Sequence, residues 1–387
     1  LIAIGDYDDI EYLNAKRWDL GNIPNWRAMS NNSVVAPTNF NDLPSEFWAG
    51  YEGLGEPYGL INLELSRTQG RLGDFRYQDL NVEGYNPCAE QSLEKDETCC
   101  LAEIALPLLE SKEEFLNLTK ILYKICKHSL LLDCHQKSTE SIVHKNMRMG
   151  IGITGYMQSS PVQKSWLPDV YESLREFDVG YSQSIGVNPS IKLTTCKPSG
   201  TLSLLPGVVP GNHPAIDRYL IRRITVASNS PLLPSITEHG YDIEYKRNFD
   251  GTLDYRSQIV SFPFTYGESE HLIVSDQLSA IQHLEYVKEL QTLWSDNSVS
   301  VTIYYRMEEL PAIKEYLSKN FSSSFKTLSF LLHSGHGFDQ APFEPITKED
   351  YDSYVARVRP IKRLTTNNVN GLSDLNAECL SGHCPVK

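Results

Sequence analysis

Apolar residues return at helical intervals in two long stretches of the chain. Phe115, Leu118, Leu122 and Ile125 follow the capping-box pattern Ser111-Lys112-Glu113-Glu114 and predict a helix to about Leu131. Leu278, Ile281, Leu284, Val287 and Leu290 predict an amphipathic helix across residues 275–294. A third helical stretch is expected around Met147 to Met157, its Gly150, Gly152 and Gly155 suiting close packing. Apolar runs predict strands at 224–227, 259–262 and 299–304, and the polar block Met29-Ser30-Asn31-Asn32-Ser33 reads as a loop delivering a strand at Val34-Val35-Ala36. Strands alternating with helices of roughly 10–20 residues predict an α/β layer architecture with largely parallel pairing. From Leu364 onward the periodicity stops, so residues 1–363 are expected to fold and 364–387 to form a flexible polar tail.

A chain of 387 residues can hold two or three ordinary domains or one large barrel, and its 41% hydrophobic content suits a soluble globular protein. The net charge of -14 argues against non-specific binding to nucleic acid or to an anionic membrane, although a nucleotide needs only a local site. No apolar run approaches the roughly 20 residues that span a bilayer. The start, Leu1-Ile2-Ala3-Ile4-Gly5-Asp6, has no initiator Met, basic segment or cleavage signal, and is expected to be a cut through a larger protein. Eight cysteines at irregular spacing are too sparse for a secreted disulfide scaffold and point to a reducing cytoplasm with transient disulfides.

Cysteine chemistry changes the picture most. In Asn86-Pro87-Cys88-Ala89-Glu90, an extended backbone turns Asn86, Cys88 and Glu90 to one face. A thiol, a carboxylate and a carboxamide meeting at one point could hold a substrate hydroxyl, remove its proton and react at the adjacent carbon. Taken alone, Cys-x-Glu is better explained by a buried structural cysteine beside a surface glutamate. Cys99 and Cys100 follow a turn-like segment, and because vicinal cysteines strain a shared disulfide, one is expected to face the site and the other the core. Cys379 and Cys384 lie beyond a polar linker, where a redox shuttle fits better than a metal site with His383 as the only neighbouring ligand. Such a linker spans roughly 20 Å as a coil and about 50 Å extended.

Lys197-Pro198-Ser199-Gly200-Thr201, ahead of Leu202-Ser203-Leu204-Leu205, looks like a helix start able to take a phosphate, with hydroxyls from Ser199 and Thr201 and close approach at Gly200. A plain N-cap explains the same residues, and the Lys-before-Gly order is not that of a Walker A loop. Cys126, His128, Cys134 and His135 invite a zinc site, but Cys126 lies beside the apolar face of a predicted helix and fits core packing. No metal ligand set is expected.

Read together, these blocks resemble ribonucleotide reductases, specifically the adenosylcobalamin-dependent (class II) monomeric ribonucleoside-triphosphate reductases. Met29-Ser30-Asn31-Asn32-Ser33-Val34, Trp294-Ser295-Asp296-Asn297-Ser298-Val299-Ser300-Val301 and Gly335-His336-Gly337 extend the resemblance over nearly the whole chain. It implies part of a ten-stranded α/β barrel with a central finger loop, in residues 1–363, and a redox-active tail in 364–387. It further implies a thiyl radical on Cys88 that takes the 3′-hydrogen of a ribonucleoside triphosphate. Glu90 would serve as base for the 3′-hydroxyl, Asn86 would hold the substrate, and Cys99 would be one member of the reducing dithiol. Ser199, Gly200, Thr201 and Leu202 would hold the phosphates. Cys379 and Cys384 would re-reduce the active-site disulfide and be recharged by thioredoxin or a similar dithiol, and a deoxynucleotide effector is implied for the full-length protein.

One departure matters. The partner of Cys99 lies in the N-terminal part of family members, so this chain is expected to be a C-terminal portion, or one piece of a split reductase, inactive alone. The alternatives are a fragment of a class I large chain, from which Pro87 and the Lys197–Leu205 block distinguish it, and a non-catalytic partner completing a split barrel.

Overall fold

The computed structural model describes residues 2–28, 30–248, 251–333 and 340–361. Met29, the Gly335-His336-Gly337 block, Cys379, Cys384 and the expected tail lie outside the described residues. The strands among them are β1 (Ile2–Asp6), β2 (Asn31–Val35), β3 (Gly59–Ile61), β4 (Gly84–Tyr85), β5 (Ser92–Leu93), β6 (Leu101–Ala105), β7 (Gly150–Thr154), β8 (Thr194–Thr195), β9 (Tyr219–Ala227), β10 (Ile243–Arg247), β11 (Leu253–Thr265), β12 (Thr302–Tyr305), β13 (Thr327–Leu332) and β14 (Phe343–Pro345). Two compact units divide the chain: Leu1–Pro214 with Asp276–Ser334, and Ala215–Ser275 with Gly335–Lys387. Among the described residues, no helix is long and apolar enough to cross a membrane.

In the first unit β1, β2 and β3 run parallel, β13 pairs antiparallel to β3 with Thr327 opposite Ile61, and β12 runs parallel to β13. A second sheet holds β6, β7 and β8, all parallel. A parallel bridge, Cys196 to Val299, joins them, with the Cys196 N–H on the Ser298 carbonyl at 3.1 Å and the Ser300 N–H on the Cys196 carbonyl at 3.0 Å. The strands therefore form one arc, β1-β2-β3-β13-β12-β8-β7-β6, in which the last five run one way and the first three the other. Parallel neighbours need long crossovers, and helices supply them: Lys112–Ser129 between β6 and β7, Leu167–Ile185 between β7 and β8, and Leu310–Ser324 between β12 and β13. The arc is part of a barrel wall, as the resemblance implied.

The second unit departs from the expected parallel pairing. Its sheet, in the order β10-β11-β9-β14, is antiparallel throughout. Only residues 248–252 separate β10 from β11, too few for anything but a hairpin. The expected helix around Met147–Met157 is also corrected. The helix Lys137–Asn146 stops at Met147, whose φ is +46°, and Gly150–Thr154 is the buried strand β7. Glycine alternating with isoleucine matches the two-residue period of a strand, and a Cβ at Gly150 would come within 2.8 Å of Leu101. Asn31–Ser33, read as loop, already belong to β2.

The Lys112–Ser129 helix starts where expected, with the Ser111 Oγ accepting the Glu114 N–H at 3.1 Å. Its buried face is Phe115, Thr119, Tyr123, Cys126 and Lys127, while Ile125 points to solvent. That rotation has a polar cause: Lys127 is drawn inward to Asp178 at 3.2 Å and to the Asn188 carbonyl at 2.8 Å. The expected 275–294 helix begins later, at Ala280, behind a Ser279–Gln282 capping box. It ends at Trp294, fully buried against Phe115, with its indole N–H on the Ile151 carbonyl at 3.0 Å.

Candidate active site

β4 and β5 form a short hairpin, Tyr85 opposite Ser92, and residues 86–91 are its tip. Asn86 closes the tip locally. Its N–H reaches the Gln91 carbonyl at 3.1 Å, its side-chain Oδ1 accepts the Gln91 N–H at 3.0 Å, and its carbonyl accepts the Ala89 N–H at 2.8 Å. Ala89 sits at φ +60°, a conformation a non-glycine residue keeps only when its surroundings impose it. The surroundings do. The Pro87 carbonyl accepts from Asn31 Nδ2 at 2.8 Å, Cys88 from the Ser300 hydroxyl, Ala89 from the Thr327 hydroxyl at 3.1 Å, and Glu90 from the Thr195 hydroxyl at 2.7 Å. Asn31 lies on β2, Thr195 on β8, Thr327 on β13 and Ser300 beside the bridge to β12. Four places around the arc thus grip one loop, which makes it a central finger.

Below the tip, a buried polar network fixes the hairpin base. Arg148 pairs with Asp79 and Glu97 and donates to Ser92 Oγ at 3.1 Å. Asp296 accepts the Leu193 N–H at 3.0 Å and the Thr194 N–H at 2.7 Å, and pairs with Arg175. Asn297 reaches the Met149 and Thr194 carbonyls, so the Trp294–Val301 block is the wall that the finger leans on. These partners satisfy groups that would be costly to leave unpaired in the core.

The finger brings Cys88, Glu90 and Cys99 together, with Asn86 between them. Cys88 and Cys99 are exposed, whereas Glu90 is 2% exposed and its Oε2 has no hydrogen-bond partner. Burial pushes the Glu90 carboxyl above its ordinary pKa, against the opposing pull of the Asn86 amide and the Lys197 charge. Desolvation by neighbouring side chains and then the charge of Glu90 push the Cys88 thiol up. The same two influences raise Cys99, which the Asn86 amide partly offsets. Cys100 turns away, its sulfur 3.8 Å from the Cys126 carbonyl in the core. Both thiols of the site are thus shifted toward their protonated form, as is the Glu90 carboxyl beside them.

The 197–202 segment adjoins this cluster. Instead of the expected helix start it makes a 3-10 turn, Leu202–Leu204, followed by the turn at Gly207. Ser199, at φ +48°, donates its hydroxyl to Glu103 at 2.6 Å, so that proton is not free for a ligand. The N–H groups of Gly200, Thr201 and Leu202 have no backbone partner among the described residues, and Lys197 Nζ lies 4.0 Å from Glu103. A Cβ on Gly211 would fall 2.0 Å from the Lys197 carbonyl, so only glycine fits behind the turn.

Sequence reasoning missed Thr195, Thr327 and Glu103, which sit in no distinctive motif, and passed over Asn31, Lys197 and Ser300 although each lies in a block it had singled out. Cys379 and Cys384 lie outside the described residues.

No family model matches the chain. Curated relatives do. The chain is 31% identical, over its whole length and 56% of the relative, to an "Adenosylcobalamin-dependent ribonucleoside-triphosphate reductase" of Lactobacillus helveticus. It is 32% identical, over 95% of itself and 50% of the relative, to the protein of that name in Euglena gracilis. It thus spans about half the length of the curated relatives it matches. A crystal structure of a B12-dependent (class II) ribonucleotide reductase superposes with a TM-score of 0.80 at 28% identity, covering 97% of this chain and 55% of that one. The alpha subunit of an Actinobacillus ureae class Id ribonucleotide reductase shares the fold alone, with a TM-score of 0.56 at 14% identity over 86% of this chain. The finger thiol gripped from around a strand arc thus stands on a sequence and a fold similar to those of adenosylcobalamin-dependent (class II) ribonucleotide reductases.

Proposed function

We propose that this chain carries the radical and reducing face of an enzyme that converts ribonucleoside triphosphates to 2′-deoxyribonucleoside triphosphates with adenosylcobalamin. The observation that carries the proposal is the exposed Cys88 thiol at a fixed finger tip, beside the Glu90 carboxyl and the Cys99 thiol. The donor set suits the cofactor, which asks of this chain one accessible thiol that retains its hydrogen. When bound, adenosylcobalamin would supply homolytic radical chemistry, and Cys88 is the residue of this chain that would give up its thiol hydrogen atom to it.

Cys88, as a thiyl radical, takes the hydrogen atom from C3′ of the ribose, breaking C–H and forming S–H. Glu90 accepts the 3′-hydroxyl proton, a role suited to a buried carboxyl whose proton affinity desolvation has raised above the ordinary value. Asn86 orients Glu90 and the substrate. The 2′-hydroxyl leaves with a proton as water, two thiols supply two electrons and two protons as they become a disulfide, and Cys88 returns its hydrogen to C3′. Cys99 is one of the two thiols. We place the second in the part of the reductase this chain does not span, since Cys100 turns to Cys126 and Cys196 is fully buried. The phosphates would meet the free N–H groups of residues 200–202 and the Lys197 ammonium, and Ser199, Gly200, Thr201 and Leu202 form that turn. Cys379 and Cys384 would regenerate the dithiol with electrons from thioredoxin or a similar reductant, in the cytoplasm, and a deoxynucleotide effector would act on the complete protein.

The test is Cys88→Ser in the full-length reductase. With adenosylcobalamin and a dithiol, the unaltered enzyme should form deoxynucleotide and exchange tritium from the cofactor 5′ position, and the variant should do neither. Reduction with persisting exchange in the variant would sink the assignment.

A further inference from the structure

Glu103 has no part in the chemistry above, yet it stands at the join between the finger and the 197–202 turn. It sits on β6, and its side chain is 2% exposed. One carboxylate oxygen, Oε2, accepts the Ser199 hydroxyl at 2.6 Å and faces Lys197 Nζ at 4.0 Å. The other, Oε1, is buried with no hydrogen-bond partner. Thr154 is the near hydroxyl, but its proton goes to the Val209 carbonyl at 3.2 Å while its oxygen accepts the Gly211 N–H at 2.8 Å. Glu103 therefore meets two groups of the turn at once, the hydroxyl of its left-handed residue and the Lys197 ammonium.

We infer that Glu103 is a positioning residue for the triphosphate: it locks the 197–202 turn through Ser199 and serves as the resting counter-ion of Lys197 until phosphate replaces it. This deepens the proposed function and rests on it. Two consequences separate. The bond to Ser199 holds the turn that carries the exposed residues 200–202 and their unpaired N–H groups, which favours phosphate. The negative charge competes with phosphate for Lys197, which opposes it. An amide in place of the carboxylate retains an acceptor for Ser199 and removes the competition, whereas alanine loses both.

Steady-state reduction by the full-length enzyme, with nucleoside triphosphate varied, tests the inference. Glu103→Ala and Ser199→Ala should each raise KM about tenfold with kcat within about threefold of the unaltered enzyme, the pattern of lost uniform binding. Glu103→Gln should recover or better the original KM. A fall in kcat without a change in KM, or a KM in Ser199→Ala equal to the original, would overturn it. Should Glu103→Ala fail to fold, Ser199→Ala and Glu103→Gln decide the matter. An unaltered enzyme that reduces no triphosphate would instead refute the proposed function.

Discussion

If the finger is held by the arc, removing one grip should loosen the tip without unfolding the protein. Thr327→Val keeps the shape of a side chain on β13 and deletes only the hydroxyl that reaches the Ala89 carbonyl at 3.1 Å. A neutral hydrogen bond of this kind contributes about 0.5–1.5 kcal/mol. Spread over the whole chain that is small: with unfolding entropy near 2.1 cal/mol/K per residue, about 1 kcal/mol moves Tm by roughly 1 °C. Confined to local opening of residues 86–91, the same energy speeds exchange about two- to tenfold. Amide hydrogen exchange at Asn86, Ala89 and Gln91, whose N–H groups close the tip, is therefore the assay. The β9–β11 ladder in the other unit serves as an internal control. Adding Ser300→Ala, which removes the grip on Cys88, should deepen the effect, with coupling expected because both bonds hold one loop. Under the proposed function, a tip displaced by 1 Å should cost the complete reductase about 10²-fold in rate. Tip amides that exchange as before in both variants would show that the hairpin holds itself and that the arc grips nothing.

Two further outcomes follow from the titrating groups. Site-resolved alkylation of Cys88 should have its midpoint above that of a free cysteine, and Glu90→Gln should lower it, because a negative charge that disfavours the thiolate is gone; an unmoved midpoint would separate the two residues. His283 is buried and His213 half-buried, and desolvation by the surrounding atoms holds them down to about 3 and about 4 against an ordinary 6.5. His213 accepts the Thr302 N–H at 3.0 Å, which protonation would forbid. A depressed folded pKa means the unfolded chain binds the proton more readily, so this stability is complete above about pH 6.5 and lost as pH falls toward 4, by a few kcal/mol at about 1.4 per unit. Urea midpoints should fall over that window, and His283→Gln, which can still donate to the Asn212 carbonyl, should flatten the slope; an unchanged slope would refute the assignment.

The sequence alone determined what is local or chemical. Cys88, Glu90 and Asn86 lie within five residues, so the chain keeps them near one another, although the tip is a turn and not the extended segment expected. The helix start at Ser111 and the resemblance to class II reductases were likewise legible, because caps and motifs are written in adjacent residues. What only the tertiary structure decided depends on contacts between distant strands. Asn31, Thr195, Ser300 and Thr327 converge on four successive carbonyls of one loop, and no spacing in the chain announces it. Gly150–Thr154 reads as part of a helix in sequence, and only the flanking strands make it β7, with Leu101 and Thr195 leaving no room for a side chain at Gly150. Ile125 belonged on the apolar stripe until a buried Lys127 needed Asp178 and rotated the face. Glu103 looks like an ordinary surface acid in sequence; burial beside Ser199 and Lys197 makes it part of the site, because desolvation and partner geometry exist only once the strands have closed around it.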